Sequence, residues 1–248
     1  MLPLKKSFKF TASVFIILLL TSFNINNEFG ITMNSGFNPQ QPDVISLPEP
    51  RFFSELSVEQ ALLNRRSVRD FTDEPVTLSE VSQLLWSAYG ITEEHSSPSF
   101  LRGGLRTAPS AGALYPLEIY LVAGNVKGLK KGIYRYISDG HFLELISEGD
   151  FRKDLSDAAL NQEFIAQAPA LLVYTAIFKR TTQKYGNRGR ERYVCMDLGH
   201  SAQNVYLQAY ALNIGTCAVG AFTDRMVSMV MQLPDNEEPL YIMPLGKF

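Results

Sequence analysis

Cysteine and histidine are scarce in this chain, with two and three residues respectively among 248. Two cysteines, Cys195 and Cys217, cannot frame a disulfide scaffold, and so few scattered histidines leave a zinc finger without ligands. Both cysteines are expected to be buried small apolar residues. A surplus of positive charge is also missing. Twenty-three Lys and Arg face twenty-five Asp and Glu, a formal charge of −2. A nucleic-acid binder working through its bulk field would be basic, so no nucleic-acid partner is expected. The apolar run Phe10–Leu20 has about eleven residues, where a membrane-spanning helix needs roughly twenty. No G-x-G-x-x-G follows a strand, and there is no G-x-x-x-x-G-K-[ST] or G-x-S-x-G. A dinucleotide fold, a P-loop and a hydrolase elbow therefore lack support.

What is present is ample core material, since 46% of the residues are hydrophobic. That suffices for one domain of ordinary size. Residues 1–23 stand apart: Lys5, Lys6 and Lys9 precede the short apolar run, the build of a secretory signal or an anchor. An exported (periplasmic) or membrane-anchored protein is expected, with a cytoplasmic one the weaker reading. Residues 24–50 carry five Asn, four Pro and only three charged residues, which reads as a linker. The folded domain is then 51–248.

Within it, Ser57 with Gln60 forms a capping box ahead of a helix running to about Arg65, and Thr77 with Glu80 repeats the device. Val81, Leu84, Leu85 and Ala88 follow at helical spacing until Gly90. Leu117–Ala123 and Ala170–Phe178 read as buried strands. Ile133–Ile137 and Phe142–Ile146 flank the hairpin signal Asp139-Gly140. Asp150–Leu160, the stretch carrying Val194, Leu198, Val205 and Leu212, and Asp224–Met231 read as helices. Thr216–Phe222 and Leu240–Leu245 complete the strands. Hairpin and crossover signals side by side give an α+β fold with a mixed or antiparallel sheet flanked by helices. Asp197 and His200, three apart on a helix, read as a surface pair, and no metal site is expected because no third ligand lies at usable spacing.

Three segments carry more chemistry. Arg65-Arg66-Ser67-Val68-Arg69 places guanidinium forks around one hydroxyl, which suits a phosphate, although a cationic helix end is also favoured by the helix dipole. Pro109-Ser110-Ala111-Gly112-Ala113 combines stiff prolines with small residues that let backbone approach something flat, or form a plain turn. Gly215-Thr216-Cys217-Ala218-Val219-Gly220 again sets small residues in and beside a strand.

Together with KYGNRGRERY (184–193), GHSAQNVYLQA (199–209) and MPLGKF (243–248), these segments resemble the nitroreductase superfamily of FMN flavoproteins, and within it the SagB-type dehydrogenases. The resemblance covers roughly Ser57 to Phe248 and implies an intertwined homodimer with FMN at the subunit interface. Arg65, Ser67 and Arg69, with Arg66 beside them, match positions that hold the phosphate, ribityl chain and ring edge. Pro109, Ser110, Ala111, Gly112 and Ala113 match a loop brought to the flavin by the neighbouring subunit. Ala218, Val219 and Gly220 match the strand segment that meets the flavin near its reactive nitrogen, and Lys247 matches a basic residue approaching the phosphate. Some nitroreductases have a Glu in that strand segment, where this chain has Val219. The pair Lys184-Tyr185 resembles one proposed to assist deprotonation at carbon in members that oxidise thiazoline or oxazoline rings of peptides. Its other reading is a basic, glycine-broken surface loop. The implied activity is hydride transfer through FMN to or from a small-molecule or peptide substrate, with NAD(P)H or a membrane carrier as donor. A flavin-binding or sensory protein without turnover, or a relative with dehalogenase or flavin-fragmenting chemistry, remain the alternatives.

Overall fold

The computed structural model describes residues 43–248, so the signal-like segment 1–23 and most of the stretch 24–50 lie outside the described residues. Strand β1, Val44–Ser46, opens the described chain and pairs antiparallel with Phe142–Glu144. The folded part therefore begins ahead of Arg51: Ile45 packs on the core and Leu47 is buried, so this end of the expected linker is anchored by apolar burial.

Both capping boxes form. Ser57 and Gln60 open α1, Val58–Asn64, and Thr77 and Glu80 open α2, Leu78–Tyr89, just after the short strand β2, Val76–Thr77. A hairpin unforeseen from the sequence follows, β3 Ile91–His95 with β4 Gly103–Arg106. Then come β5 Leu117–Ala123, β6 Val126–Lys127, β7 Gly132–Ile137 and β8 Phe142–Glu148. Gly140, at φ 86°, supplies the left-handed turn between β7 and β8. Helices α3 (Arg152–Ala158) and α4 (Glu163–Gln167) lead into β9, Ala170–Ala176. Helix α5, Lys179–Tyr185, and a π-helical turn, Gly189–Tyr193, replace the loop expected around Lys184. The rest is α6 Val194–Ala211, β10 Gly215–Thr216, α7 Asp224–Val230 and β11 Glu238–Gly246.

Seven strands form one sheet in the order β1-β8-β7-β5-β9-β11-β10, antiparallel at every pairing. The α+β expectation holds, and the parallel pairing is confined to β2 with β6, outside this sheet. The continuous apolar runs of β5 and β9 arise because the sheet is covered on both faces. Leu117, Ile119 and Leu121 join α2 and α6 in one core, while Tyr120 and Val122 join α3, α4 and α7 in the other. Inside the first core Ser201 Oγ donates to the Ala88 carbonyl at 2.6 Å and shares a 3.0 Å bond with Tyr174 Oη, tying α6 to α2 and β9.

The strand expected over Thr216–Phe222 is broken. Val219 exchanges both backbone bonds with Ile242, but between it and Thr216 the same register sets Cys217 opposite Pro244, which has no N–H to give; the Ala218 N–H, turned away from the last strand, donates to Tyr206 Oη at 2.7 Å. Gly215, in contrast, is fixed by packing: a Cβ there would lie 2.6 Å from Val68 Cγ1. Substitution Gly215→Ala should therefore cost about 1–3 kcal/mol of stability through overpacking, read as a lower urea midpoint. An unchanged midpoint would show that the Val68 segment yields freely.

Candidate functional site

Helix α6 reaches two separate clusters. At its C-terminal half, Tyr206 Oη shares a 3.1 Å hydrogen bond with Ser67 Oγ, accepts the Ala218 N–H, and lies beneath the Arg65 guanidinium, 5.2 Å from the ring centre. The Val68 N–H donates to the Thr216 carbonyl at 2.9 Å, so the segment 65–69 is stitched edge-on to the segment 215–220. Arg65 caps α1 and is half-buried, whereas Ser67 and Arg69 are exposed. Neither Arg65 nor Arg69 forms an ion pair among the described residues. Burial raises the Cys217 thiol while the nearby Arg69 charge pulls it down, which puts the field of Arg69 over this strand segment. Arg66 is differently employed. It donates to the Leu63 and Arg65 carbonyls at 3.0 and 2.8 Å and so caps its own helix.

Lys247 stands at the same edge, its backbone carbonyl accepting the Thr72 N–H at 2.8 Å. Its ammonium pairs with Glu80, the acid of the second capping box. Burial would raise the Glu80 carboxyl, but Lys247 and Thr77 outweigh it and hold it below its ordinary value. A phosphate reaching Lys247 would have to share it with this carboxylate.

The second cluster surrounds Pro109–Ala113. Asp197, on the N-terminal half of α6, is buried and not the surface residue the sequence suggested. Its carboxylate accepts Ser110 Oγ at 2.6 Å and the Ala111 N–H at 3.2 Å. Ser110 Oγ in turn accepts the Tyr115 N–H at 2.9 Å. His200 Nδ1 sits 3.3 Å from the Pro109 carbonyl, and Asn204 donates to the Thr107 carbonyl at 3.2 Å. This bracing sustains three left-handed residues, Gly112 (φ 64°), Ala113 (54°) and Tyr115 (46°), of which the last two carry the Cβ that disfavours the conformation. Cys195, exposed on the same helix, departs from the expected burial because it lies on the outward side of α6, while Cys217 is buried.

Lys184 and Tyr185, in the last turn of α5, converge on the same loop. A Cβ built on Gly112 would lie 2.7 Å from Tyr185 Oη and 3.1 Å from Lys184 Nζ, so glycine is what admits both groups. Tyr185 packs edge-to-face on Tyr193 of the π-turn, with ring centres 4.9 Å apart. The structure thus groups Arg65, Ser67, Arg69, Ala218, Val219, Gly220 and Lys247 in one cluster. Pro109–Ala113, Lys184 and Tyr185 form the other. Asp197 and Tyr206, nine residues apart on α6, separate the two by about 13 Å along the helix axis and roughly half a turn around it. Tyr206 escaped the sequence reading and Asp197 was taken for a surface residue: no spacing rule marks a helical Tyr or Asp whose partners come from distant loops.

The Asp197 clamp has a pH signature. Burial raises its carboxyl above the ordinary 3.8, although the Ser110 and Ala111 bonds pull it down. The unfolded chain therefore ionises first as pH rises, and the fold loses stability until its own carboxyl has ionised. Compared with Asp197→Asn, which does not titrate, the native chain should lose stability as pH climbs from about 4 and then level off. Asp197→Ala should cost about 2–3 kcal/mol at neutral pH by removing both loop bonds. Parallel denaturation curves across the pH series for native chain and Asn variant would disprove the clamp.

Comparison with known proteins identifies relatives of the whole domain. A protein of Methanocaldococcus jannaschii named as a nitroreductase is 44% identical over 203 residues, spanning 82% of this chain and 96% of that one. A crystal structure from Ralstonia eutropha JMP134, also named as a nitroreductase, superimposes with a TM-score of 0.70 at 30% identity, covering 82% of this chain and 89% of that one. The FMN reductase (NADPH) of Bacillus subtilis is 22% identical over 200 residues, 75% of this chain and 64% of its own length. The profile of the Nitroreductase family matches residues 62–247. The chain belongs to the Nitroreductase family, a group of flavin-using oxidoreductases.

Proposed function

We propose that the protein is an FMN-dependent oxidoreductase acting as a homodimer, with one FMN per chain held between two subunits. The observation that carries this reading is that Arg65 and Arg69, two residues either side of Ser67 in the chain, stack over the Tyr206 and Phe164 rings and meet no carboxylate among the described residues. A terminal phosphate supplies the missing charge, and a bidentate fork is the usual way to meet it. The absence of a pyrophosphate motif favours FMN over FAD. Bound FMN would supply hydride transfer, and the rest of the task falls to the chain's own residues.

Backbone at Ala218, Val219 and Gly220 would lie along the ring, with the first N–H of that segment fixed by Tyr206. The strained loop 109–113 would cover the opposite side. Because the two clusters lie on different sides of α6, one chain is suited to supply the phosphate cluster and its partner the loop. Lys184 and Tyr185 would then stand over the substrate and hold or move its proton. A basic, apolar N-terminal segment supports export or membrane anchoring, with a membrane carrier replacing NAD(P)H as donor.

A measurement of flavin affinity tests the phosphate assignment. Arg69→Ala should weaken FMN binding roughly ten- to a hundredfold, the equivalent of about 1.5–3 kcal/mol for a charge-assisted contact. Riboflavin, which has no phosphate, should bind both proteins equally. Equal losses for the two ligands would mean the arginine acts on the ring or the fold.

The subunit contact has its own test. Phe52, Phe53, Val58 and Leu63 are between 63% and 81% exposed, a concentration of apolar surface that a monomer seldom carries. Leu63→Glu should convert the dimer to monomer in sedimentation velocity and release flavin with it. A monomeric variant that retains full FMN occupancy would count against a shared site.

A further inference from the structure

Four arginines, Arg102, Arg106, Arg135 and Arg180, line a cavity of about 310 Å³ at the Leu117 end of β5. They come from β4 and the residue before it, from β7 and from α5, so the grouping is made by the fold and invisible in the sequence. Glu118 is the one buried acid among them, and its two oxygens are fully used. Oε1 accepts Arg102 at 3.0 Å and also Arg180, while Oε2 accepts Arg135 Nε and Nη2 at 3.3 and 2.9 Å. Arg106 pairs with no carboxylate among the described residues. It donates to the Tyr89 and Arg102 carbonyls and to Ser138, with its guanidinium over the Tyr89 and Tyr115 rings. The other acid lining the cavity, Asp139, is exposed and pairs with none of the four.

A structural ion network is usually balanced, because burying surplus charge of one sign is costly. Here the balance fails: four guanidiniums face two carboxylates. Arg102 Nε and Arg106 Nε are buried without a hydrogen-bond partner. Arg135 Nη1 and Arg180 Nη2 have no partner among the described residues, although both side chains are partly accessible. Burial and the adjacent Arg180 push the Arg102 guanidinium down to about 10, which reports the same crowding of like charge. The cavity is also within the size range of small-molecule pockets, about 300–1,000 Å³, and Leu117, Ile119 and Ile137 give it apolar wall.

We propose that this cavity is a second anion site, in which the free donors of Arg135 and Arg180 receive the phosphate or carboxylate group of a small molecule. The site is independent of the flavin reading, yet it adjoins the strained loop. The Tyr115 carbonyl accepts from Arg102 and, at 3.4 Å, from Arg180, while the Tyr115 N–H donates to Ser110. An anion drawing on Arg180 therefore acts on a group that also braces the 109–113 segment.

The test is binding by the purified full chain with its flavin, followed by calorimetry and thermal shift at ionic strength held constant with sodium chloride. The probes are inorganic phosphate and citrate. A saturable response with one site per chain is expected, at least tenfold weaker in Arg135→Gln and in Arg180→Gln. Glu118→Gln should bind more tightly, since it removes the competing carboxylate. Saturation by phosphate alone identifies a phosphoryl ligand, and saturation by citrate alone identifies a carboxylate. Should a glutamine variant fail to fold by circular dichroism, Arg135→Lys replaces it; it keeps the charge but loses the fork and should weaken binding several-fold. Arg69→Ala separates this site from the flavin phosphate cluster and should leave the response intact. A response that does not saturate, that survives unchanged in the Arg135 and Arg180 variants, or that disappears in Arg69→Ala would overturn the proposal.

Discussion

Asp197 and Tyr206 make α6 the member on which both functional clusters depend. Each projects one polar group from a helix otherwise packed against the sheet, and each polar group fixes backbone that has no regular structure of its own. A loop with three left-handed residues is unfavourable by itself, with a cost of roughly 1–3 kcal/mol for each strained position. It persists because a buried carboxylate holds its first residues and the strand β5 takes up its end. The Tyr206 hydroxyl does the corresponding service at the other cluster, where it satisfies the N–H that Ala218 turns outward from the edge of the sheet.

Much of this was legible in the sequence, and the physical reasons divide cleanly. The two capping boxes, the buried runs of β5 and β9 and the Asp139-Gly140 turn are local signals whose partners lie within a few residues, so they transfer directly from residue order to structure. The broken strand after Thr216 was not legible, because the residue that interrupts it, Pro244, lies on another strand and meets Cys217 only through the register. Lys184 and Tyr185 seemed to lie on a loop for a related reason: Gly186 and Gly189 suggested a break. The structure instead ends one helix at Tyr185 and lets a π-turn absorb the glycines. Asp197 was misread as a surface residue because it is a carboxylate, although it falls at helical spacing on the buried face of α6 with Val194, Ser201 and Val205; only the loop donors of Ser110 and Ala111 make that burial tolerable.

The candidate site divides in the same way. Short motifs identified the loops, since small residues between prolines and clustered arginines carry their chemistry in one dimension. What motifs did not supply was the division of labour within them. Arg66 and Arg69 look alike in the sequence, but Arg66 satisfies the carbonyls of its own helix whereas Arg69 lies over the Phe164 ring and forms no ion pair among the described residues. Lys247 looked like a free cation and is tied to Glu80.

Charge shows most plainly how far a one-dimensional reading extends. The formal charge of −2 describes a chain with its acids and bases nearly matched, and such a chain should have no strong field. Matching in number is not matching in space. Asp150 is held far below its ordinary value by Arg152 and Lys131, and Glu238 is paired with Arg190, so several acids are neutralised by local partners. Two groups of arginines outnumber the acids near them: Arg65, Arg66 and Arg69 around Ser67 in the chain, and the four that line the cavity with Glu118. Local surplus in a low-dielectric setting is worth far more than the same charge dispersed in water. These two places, and not the net charge, are therefore where anionic groups would be drawn.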